Sequence, residues 1–220
     1  MRIFLDTANI EQIRQAARLG VISGVTTNPS LMMKEGLADY EAAIKEICTI
    51  VSGPVSVEVV SEEPPEMLQQ ARKMAQWAPN VVIKIPSTLP GLEVTSTLAK
   101  EKIKVNFTLC FSLNQALLGA LAGAAFVSPF VGRLDDVGHD GMALVGDIVA
   151  IYDYYNLSTE VIAASIRHPQ HCIAAAKAGS HIATIPYNVL TQMMQHPLTD
   201  VGVARFMNDW KSASRKSGKS

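Results

Sequence analysis

Short apolar runs alternate with amphipathic stretches along the whole chain. The runs RIFLD (2–6), SGVTTN (23–28), PVSVEVV (54–60), VVIKIP (81–86), KVNFTL (104–109), AFVSPFV (125–131), EVIAASI (160–166) and HIATIP (181–186) read as strands. Between them, helical patterns cover 9–19, 37–51, 64–77, 90–102, 112–123, 138–156, 168–178 and 187–196, with a further amphipathic helix over about 200–214. Eight strands alternating with helices predict a parallel α/β fold, and that number favours a closed (β/α)8 TIM barrel with an extra C-terminal helix over an open sheet. No linker or composition shift divides the chain, so one domain over 1–220 is expected, with 215–220 as a disordered tail. An open doubly wound sheet would be favoured by a GxGxxG or GxxxxGK[ST] loop, and the sequence has neither.

The two-residue period of a strand separates two faces. One carries Ile3 and Leu5, Val25 and Thr27, Val55, Val57 and Val59, Val81, Ile83 and Ile85, Val105, Phe107 and Leu109, Val127, Pro129 and Val131, and Ile162, Ala164 and Ile166, which suits packing against helices. The other carries Phe4 and Asp6, Thr26 and Asn28, Ser56 and Glu58, Val82 and Lys84, Asn106 and Thr108, Ser128 and Phe130, and Ala163, Ser165 and Arg167. Its polar members sit mostly toward the C-terminal ends of their strands. In a barrel they would meet inside the upper mouth, where sites of this fold are built.

Composition narrows the function. Hydrophobic residues make up 48%, enough for a core, and the net charge of −1 argues against a nucleic-acid partner. The basic cluster KSASRKSGKS (211–220) reads as a solvated end. Cys48, Cys110 and Cys172 are odd in number and widely spaced, which fits a reducing compartment and no disulfide framework. The start, MRIFLDTANIEQ, has no apolar signal region. From Phe107 to Gly132 no residue is charged, long enough for a membrane span. Ser112, Asn114, Gln115, Ser128 and Pro129 interrupt it, and its period changes from strand to helix to strand, so buried soluble structure and a cytoplasmic protein are expected.

Lys84 stands within the most strand-like run of the chain, where an ammonium group is costly to bury. Beside Asp6, Glu58, Thr108 and Asn28 it has three readings: a nucleophile forming an imine with a carbonyl, an anion-binding charge, or half of a structural ion pair. Asp6 and Glu58 could supply the acid and base that imine formation and carbon–carbon cleavage require. Arg133 and Arg167 each follow a strand end, and with Ser165 they could clamp a phosphate. Alternatively, Arg133 pairs with Asp135 or Asp136. His168 and His171 are three apart with no third ligand in range, so no metal site is expected, and Met193 and Met194 read as packing. No Ser/His/Asp arrangement is evident.

FLDTAN (4–9), GVTTNPS (24–30), VSVEV (55–59), VIKIP (82–86), NFTLCFS (106–112), SPFVGRLDD (128–136) and AASIRHP (163–169) resemble the motifs of the transaldolase family, in its small-subunit branch that also contains fructose-6-phosphate aldolases. LTQMMQHPLTDVGVARFMNDW (190–210) resembles that branch too. The resemblance implies a (β/α)8 barrel moving a dihydroxyacetone unit between sugar phosphates of the pentose phosphate pathway. By motif, Lys84 would form the Schiff base and Asp6 would take the proton from the donor's C4 hydroxyl. Glu58 and Thr108 would hold the water used in imine formation and hydrolysis. Asn28, Asn106 and Ser128 would hold hydroxyls, with Thr26 and Phe130 also lining the substrate site. Arg133, Ser165 and Arg167 would bind the phosphate. The resemblance implies no cofactor, and a homo-oligomer, a decamer of two pentameric rings to which the C-terminal helix contributes.

Within that branch, Glu58 stands where the aldolases resemble one another in having glutamine. Asn106 and Ser128 stand where they tend to carry small residues, and Phe130 where they have a tyrosine. These positions point to transaldolase, with fructose-6-phosphate aldolase as the alternative. A non-catalytic sugar-phosphate binding barrel, in which Lys84 only pairs with Glu58, is the alternative of another class.

Overall fold

The computed structural model describes residues 1–36 and 39–217. Eight parallel strands close on themselves in chain order: β1 (Arg2–Asp6), β2 (Ile22–Thr26), β3 (Val55–Glu58), β4 (Val81–Pro86), β5 (Val105–Cys110), β6 (Phe126–Pro129), β7 (Glu160–Ala163) and β8 (Ile182–Ile185). The helices are α1 (Ile10–Arg18), α2 (Pro29–Lys34), α3 (Tyr40–Ile50), α4 (Pro64–Ala75), α5 (Leu89–Lys100), α6 (Leu113–Leu121), α7 (Val131–Asp136), α8 (Gly141–Tyr154), α9 (Pro169–Lys177), α10 (Tyr187–Gln192) and α11 (Pro197–Ser217). The fold is therefore a (β/α)8 barrel with a C-terminal helix. Every expected strand is present, each within two or three residues of its expected bounds. The uncharged stretch after Phe107 resolves into β5, α6 and β6, and among the described residues no helix is long and apolar enough to cross a membrane.

Two short helices were not legible in the hydrophobic pattern. α2 starts where Asn28 accepts a hydrogen bond from Leu31 N at 2.9 Å and Pro29 stands at N1. α7 begins inside what reads as the end of β6, where Phe130 N–H still donates to Cys110 O and Val131 N–H to Ala164 O. α11 outruns its expected span at both ends, and of the expected tail 218–220 lie outside the described residues. Leu37 and Ala38, within the expected start of α3, also lie outside them.

The barrel interior is stratified. Phe4, Val82, Phe126, Ile162 and Ile182 form a closed apolar floor toward the N-terminal ends of the strands. Above it stand polar side chains. Outside, Leu5, Val25, Val57, Ile83, Ile85 and Phe107 pack with the helices in one continuous core. Gly24 belongs to this design, because a Cβ there would lie 2.7 Å from the Phe4 ring and 2.7 Å from the Pro54 carbonyl oxygen.

At two strand ends the alternation breaks. On β7 the inward residues are Ile162, in the floor, and Ala164, while Ala163 faces the helices. The expected faces are reversed there. Ser165 still reaches the mouth because its φ of +58° turns the chain after the strand. On β5, Leu109 at φ +55° shifts the register, so that Cys110 instead of Leu109 enters the outer core. A left-handed conformation costs a non-glycine residue about 1–2 kcal/mol. Gly24→Ala should lower stability by about 1–3 kcal/mol through overpacking, read as a fall in the thermal midpoint; an unchanged midpoint would contradict this account of the floor.

Candidate active site

The polar layer is assembled by strand register. Glu58 on β3 is the register partner of Lys84 on β4, which in turn partners Asn106 on β5. Lys84, 5% exposed, donates to Glu58 Oε2 at 2.9 Å and to the Thr27 carbonyl oxygen at 3.0 Å. That carbonyl is fixed in turn, since Thr27 donates to Ser56 O through both its N–H, at 3.0 Å, and its hydroxyl, at 2.8 Å. The ion pair allows the charge to be buried; removing one partner of such a pair costs about 3–5 kcal/mol.

Asp6 closes the other side. Thr26 Oγ1 donates to Asp6 Oδ1 at 2.7 Å and also meets Thr184 Oγ1 at 2.5 Å. Thr26 has one proton and gives it to the carboxylate, so Thr184 donates to Thr26. Burial raises the Asp6 carboxyl above its ordinary value and outweighs the opposing pull of the Lys84 charge and the Thr26 hydroxyl; the Glu58 charge adds to the rise. A second chain runs around the wall, with Ser128 Oγ donating to Asn106 Oδ1 at 2.6 Å and Asn106 Nδ2 to Ser56 Oγ at 3.2 Å. Thr108 Oγ1 is buried and has no hydrogen-bond partner among the described residues.

These groups surround a cavity of about 120 Å³ at the C-terminal ends of the strands. Asp6, Thr26, Asn28, Lys84, Asn106 and Thr108 line one part of it. Ser128, Phe130, Arg133, Ser165, Ala164 and Thr184 line the rest. Glu58 stands behind Lys84, outside this lining. Asn28 spends its Oδ1 on capping α2, which leaves its amide N–H groups for the cavity. Phe130 packs edge-on against Phe111 at 5.7 Å, and the Arg133 guanidinium stands 5.0 Å above its ring. A larger depression of about 540 Å³ lies at the opposite end, beside Lys104, Ala125 and Glu160, and holds none of the candidate residues.

Of the candidates, Arg167 alone is drawn away. Its Nη2 donates to Asp136 Oδ2 at 2.8 Å, outside the cavity. Asp135 accepts instead from His171 Nε2 at 3.1 Å, so the alternative pairing of Arg133 with these carboxylates does not occur. His168 caps α9 and sets its ring against His171, 3.8 Å between centroids and tilted by 46°. Burial pushes the Cys48 and Cys110 thiols up to about 11, far from thiolate character at neutral pH.

Three participants escaped the sequence. The Thr27 carbonyl is backbone, which no side-chain pattern reveals. Thr184 is a small hydroxyl that resembles an ordinary strand residue. Tyr40 comes from α3, packs edge-on against Trp77, and accepts the Glu58 N–H at 3.3 Å; only its place at a helix start hinted at proximity.

A buried amine with two carboxylates close by, at the mouth of a (β/α)8 barrel, defines a barrel with a charged, polar site where this fold builds its active sites. The chain belongs to the transaldolase/fructose-6-phosphate aldolase family, whose model matches residues 3–217. Proteins named probable transaldolase from Dehalococcoides mccartyi, Desulforudis audaxviator and Moorella thermoacetica are 65%, 60% and 54% identical to it. Each match spans 216 residues, 98% of this chain and 100% of the relative. A thiamine phosphate pyrophosphorylase from Pyrococcus furiosus superposes with a TM-score of 0.59 over 87% of this chain and 93% of that one; at 13% identity this likeness concerns the fold alone.

The Thr26 hydroxyl stabilises ionised Asp6, so Thr26→Val should raise the Asp6 titration midpoint further, read from its carboxyl carbon-13 shift. A midpoint that stays put or falls would contradict the assigned hydrogen bond.

Proposed function

We propose that the protein is a transaldolase that moves a dihydroxyacetone unit from a ketose phosphate, sedoheptulose 7-phosphate or fructose 6-phosphate, to an aldose phosphate, glyceraldehyde 3-phosphate or erythrose 4-phosphate. The observation that carries this reading is the inward amine of Lys84 between Glu58 and the Thr27 carbonyl, facing a cavity it shares with Asp6.

Glu58, at 2.9 Å, is within reach of the ammonium proton, and the freed amine attacks the ketose C2 carbonyl. The amine proton passes to the former carbonyl oxygen, and the carbinolamine then takes the proton held by Glu58 and loses its hydroxyl as water, giving an iminium on Lys84. Glu58 and Thr108 hold that water, and the buried Thr108 hydroxyl, without a partner among the described residues, supports this role. Asp6 then takes the C4 hydroxyl proton, the C3–C4 bond breaks, and its electron pair moves into the iminium to give an enamine while the aldose leaves. A carboxyl held above its ordinary value is the stronger base for that step. The enamine carbon attacks the acceptor aldehyde, Asp6 returns the proton to the new hydroxyl, and water hydrolyses the iminium. Asn28, Asn106 and Ser128 hold the hydroxyls of the bound unit, Thr26 orients Asp6 beside it, and Arg133, Ser165 and Arg167 hold the phosphate.

The aldolase alternative differs in releasing the enamine as free dihydroxyacetone. Phe130 argues for transfer, because a phenyl ring cannot activate the water that protonates the enamine, and Arg133 and Phe111 hold it over the cavity. The names of the relatives support the same choice. We place the reaction in the pentose phosphate pathway of the cytoplasm. We also read the protein as an oligomer, a decamer by family resemblance, which the exposed Leu198, Val201, Val203, Phe206 and Met207 of α11 support.

Incubation with fructose 6-phosphate alone, followed by erythrose 4-phosphate, tests the choice. Little free dihydroxyacetone before the acceptor and rapid ketose exchange after it is expected; steady release of dihydroxyacetone without acceptor would identify an aldolase. Phe130→Tyr should raise release relative to transfer, and an unchanged ratio would show that the ring does not set the outcome.

A further inference from the structure

Beside the ends of β6 and β7 stand Arg133, Arg167, Asp135 and Asp136, and of these two arginines Arg133 lines the cavity. Arg167 is paired with Asp136 at 2.8 Å. The arm of Arg167 lies across Gly132, where a Cβ would meet its Nε at 2.7 Å and its Cγ at 2.8 Å. Gly132 and Asp136 stand four apart on α7, so the side chain follows one face of that helix away from the mouth. Asp136 is about one helical turn beyond Arg133, a shift of roughly 5 Å for a guanidinium on a flexible stem.

From this geometry we propose that Asp136 is a latch: it holds Arg167 outside the cavity and gives it up to the phosphate of an incoming sugar phosphate, so that it sets phosphate affinity and draws the arginine back on release. The proposal rests on the reading of Arg167 as a phosphate ligand. The pair suits a latch because its side chains are 52% and 59% exposed. An ion pair so solvated is weak, its loss changing an equilibrium by no more than about fivefold. A dianionic phosphate meeting Arg133, Ser165 and Arg167 together can outcompete one carboxylate.

The second carboxylate cannot substitute. Asp135 Oδ2 accepts from His171 Nε2 at 3.1 Å, and Asp135 Oδ1 accepts the Gly141 N–H at 3.0 Å, at the start of α8. His171 Nδ1 accepts the Arg167 backbone N–H at 3.3 Å, so the base of the arm is anchored while its end is held, among the described residues, by Asp136 alone. Fixed base and weakly held end are what a swinging arm requires.

The test is competitive inhibition by inorganic phosphate in the wild type, Asp136→Asn, Arg167→Met and the double variant, with thermal midpoints as a fold control. Asp136→Asn should lower the inhibition constant by about 2–5-fold, and the effect should vanish in the Arg167→Met background. Equal tightening in both backgrounds would mean that Asp136 acts by direct repulsion and would overturn the latch, as would unchanged or weaker phosphate binding in Asp136→Asn. If Arg167→Met alone leaves inhibition unaltered, the phosphate reading of Arg167 fails, and the latch with it. Loss of phosphate inhibition in Arg167→Met beside a neutral Asp136→Asn would overturn the latch alone.

Discussion

Burying an ammonium group in a barrel sets the terms for everything around it. Lys84 is almost wholly withdrawn from solvent, and its charge is acceptable there because Glu58 and the Thr27 carbonyl receive its protons. Neither partner is free to wander. Glu58 is set opposite Lys84 by the β3–β4 register, and Thr27 is tied to Ser56 by two hydrogen bonds. The closure of the barrel therefore fixes the amine, where a lysine on a loop would lose several rotatable bonds of entropy to reach one position.

The apolar floor and the polar layer depend on one another. Phe4, Val82, Phe126, Ile162 and Ile182 seal the barrel from below, so the polar groups above are open to the mouth alone. That seal, together with the neighbouring Glu58 charge, raises the Asp6 carboxyl, while Thr26 and Lys84 limit the rise. One carboxylate neutralises the amine and the other is held above its ordinary value, a difference produced by environment and not by residue type.

Much of this was legible in the chain. The alternation of β1, β3, β4, β5 and β6 put Asp6, Glu58, Lys84, Asn106 and Ser128 on one face, and the inward set agrees. The alternation failed at Leu109, where the backbone takes a positive φ and leaves the strand conformation, and no hydrophobic pattern encodes that in a residue other than glycine; Ser165 reaches its expected place through a positive φ of the same kind. The alternation also assigned Ile162 and Ala164 to the wrong face, because every residue from Val161 to Ala164 is apolar and such a run has no visible period. The partnership of Arg167 with Asp136, rather than of Arg133 with its own helix neighbours, follows from the proximity of α7 to the end of β7, which is a tertiary fact. The Asn28–Pro29 start of α2, by contrast, carried a readable cap that the longer neighbouring patterns obscured.

The central claim is that Lys84 forms a covalent imine with the donor. Incubation with fructose 6-phosphate and borohydride, followed by peptide mass mapping, measures it most directly. The account predicts a reduced three-carbon dihydroxyacetone adduct on Lys84, with irreversible loss of activity and no adduct in Lys84→Met. An unmodified Lys84 peptide, or full activity in Lys84→Met, would contradict it and leave the buried lysine as half of a structural ion pair.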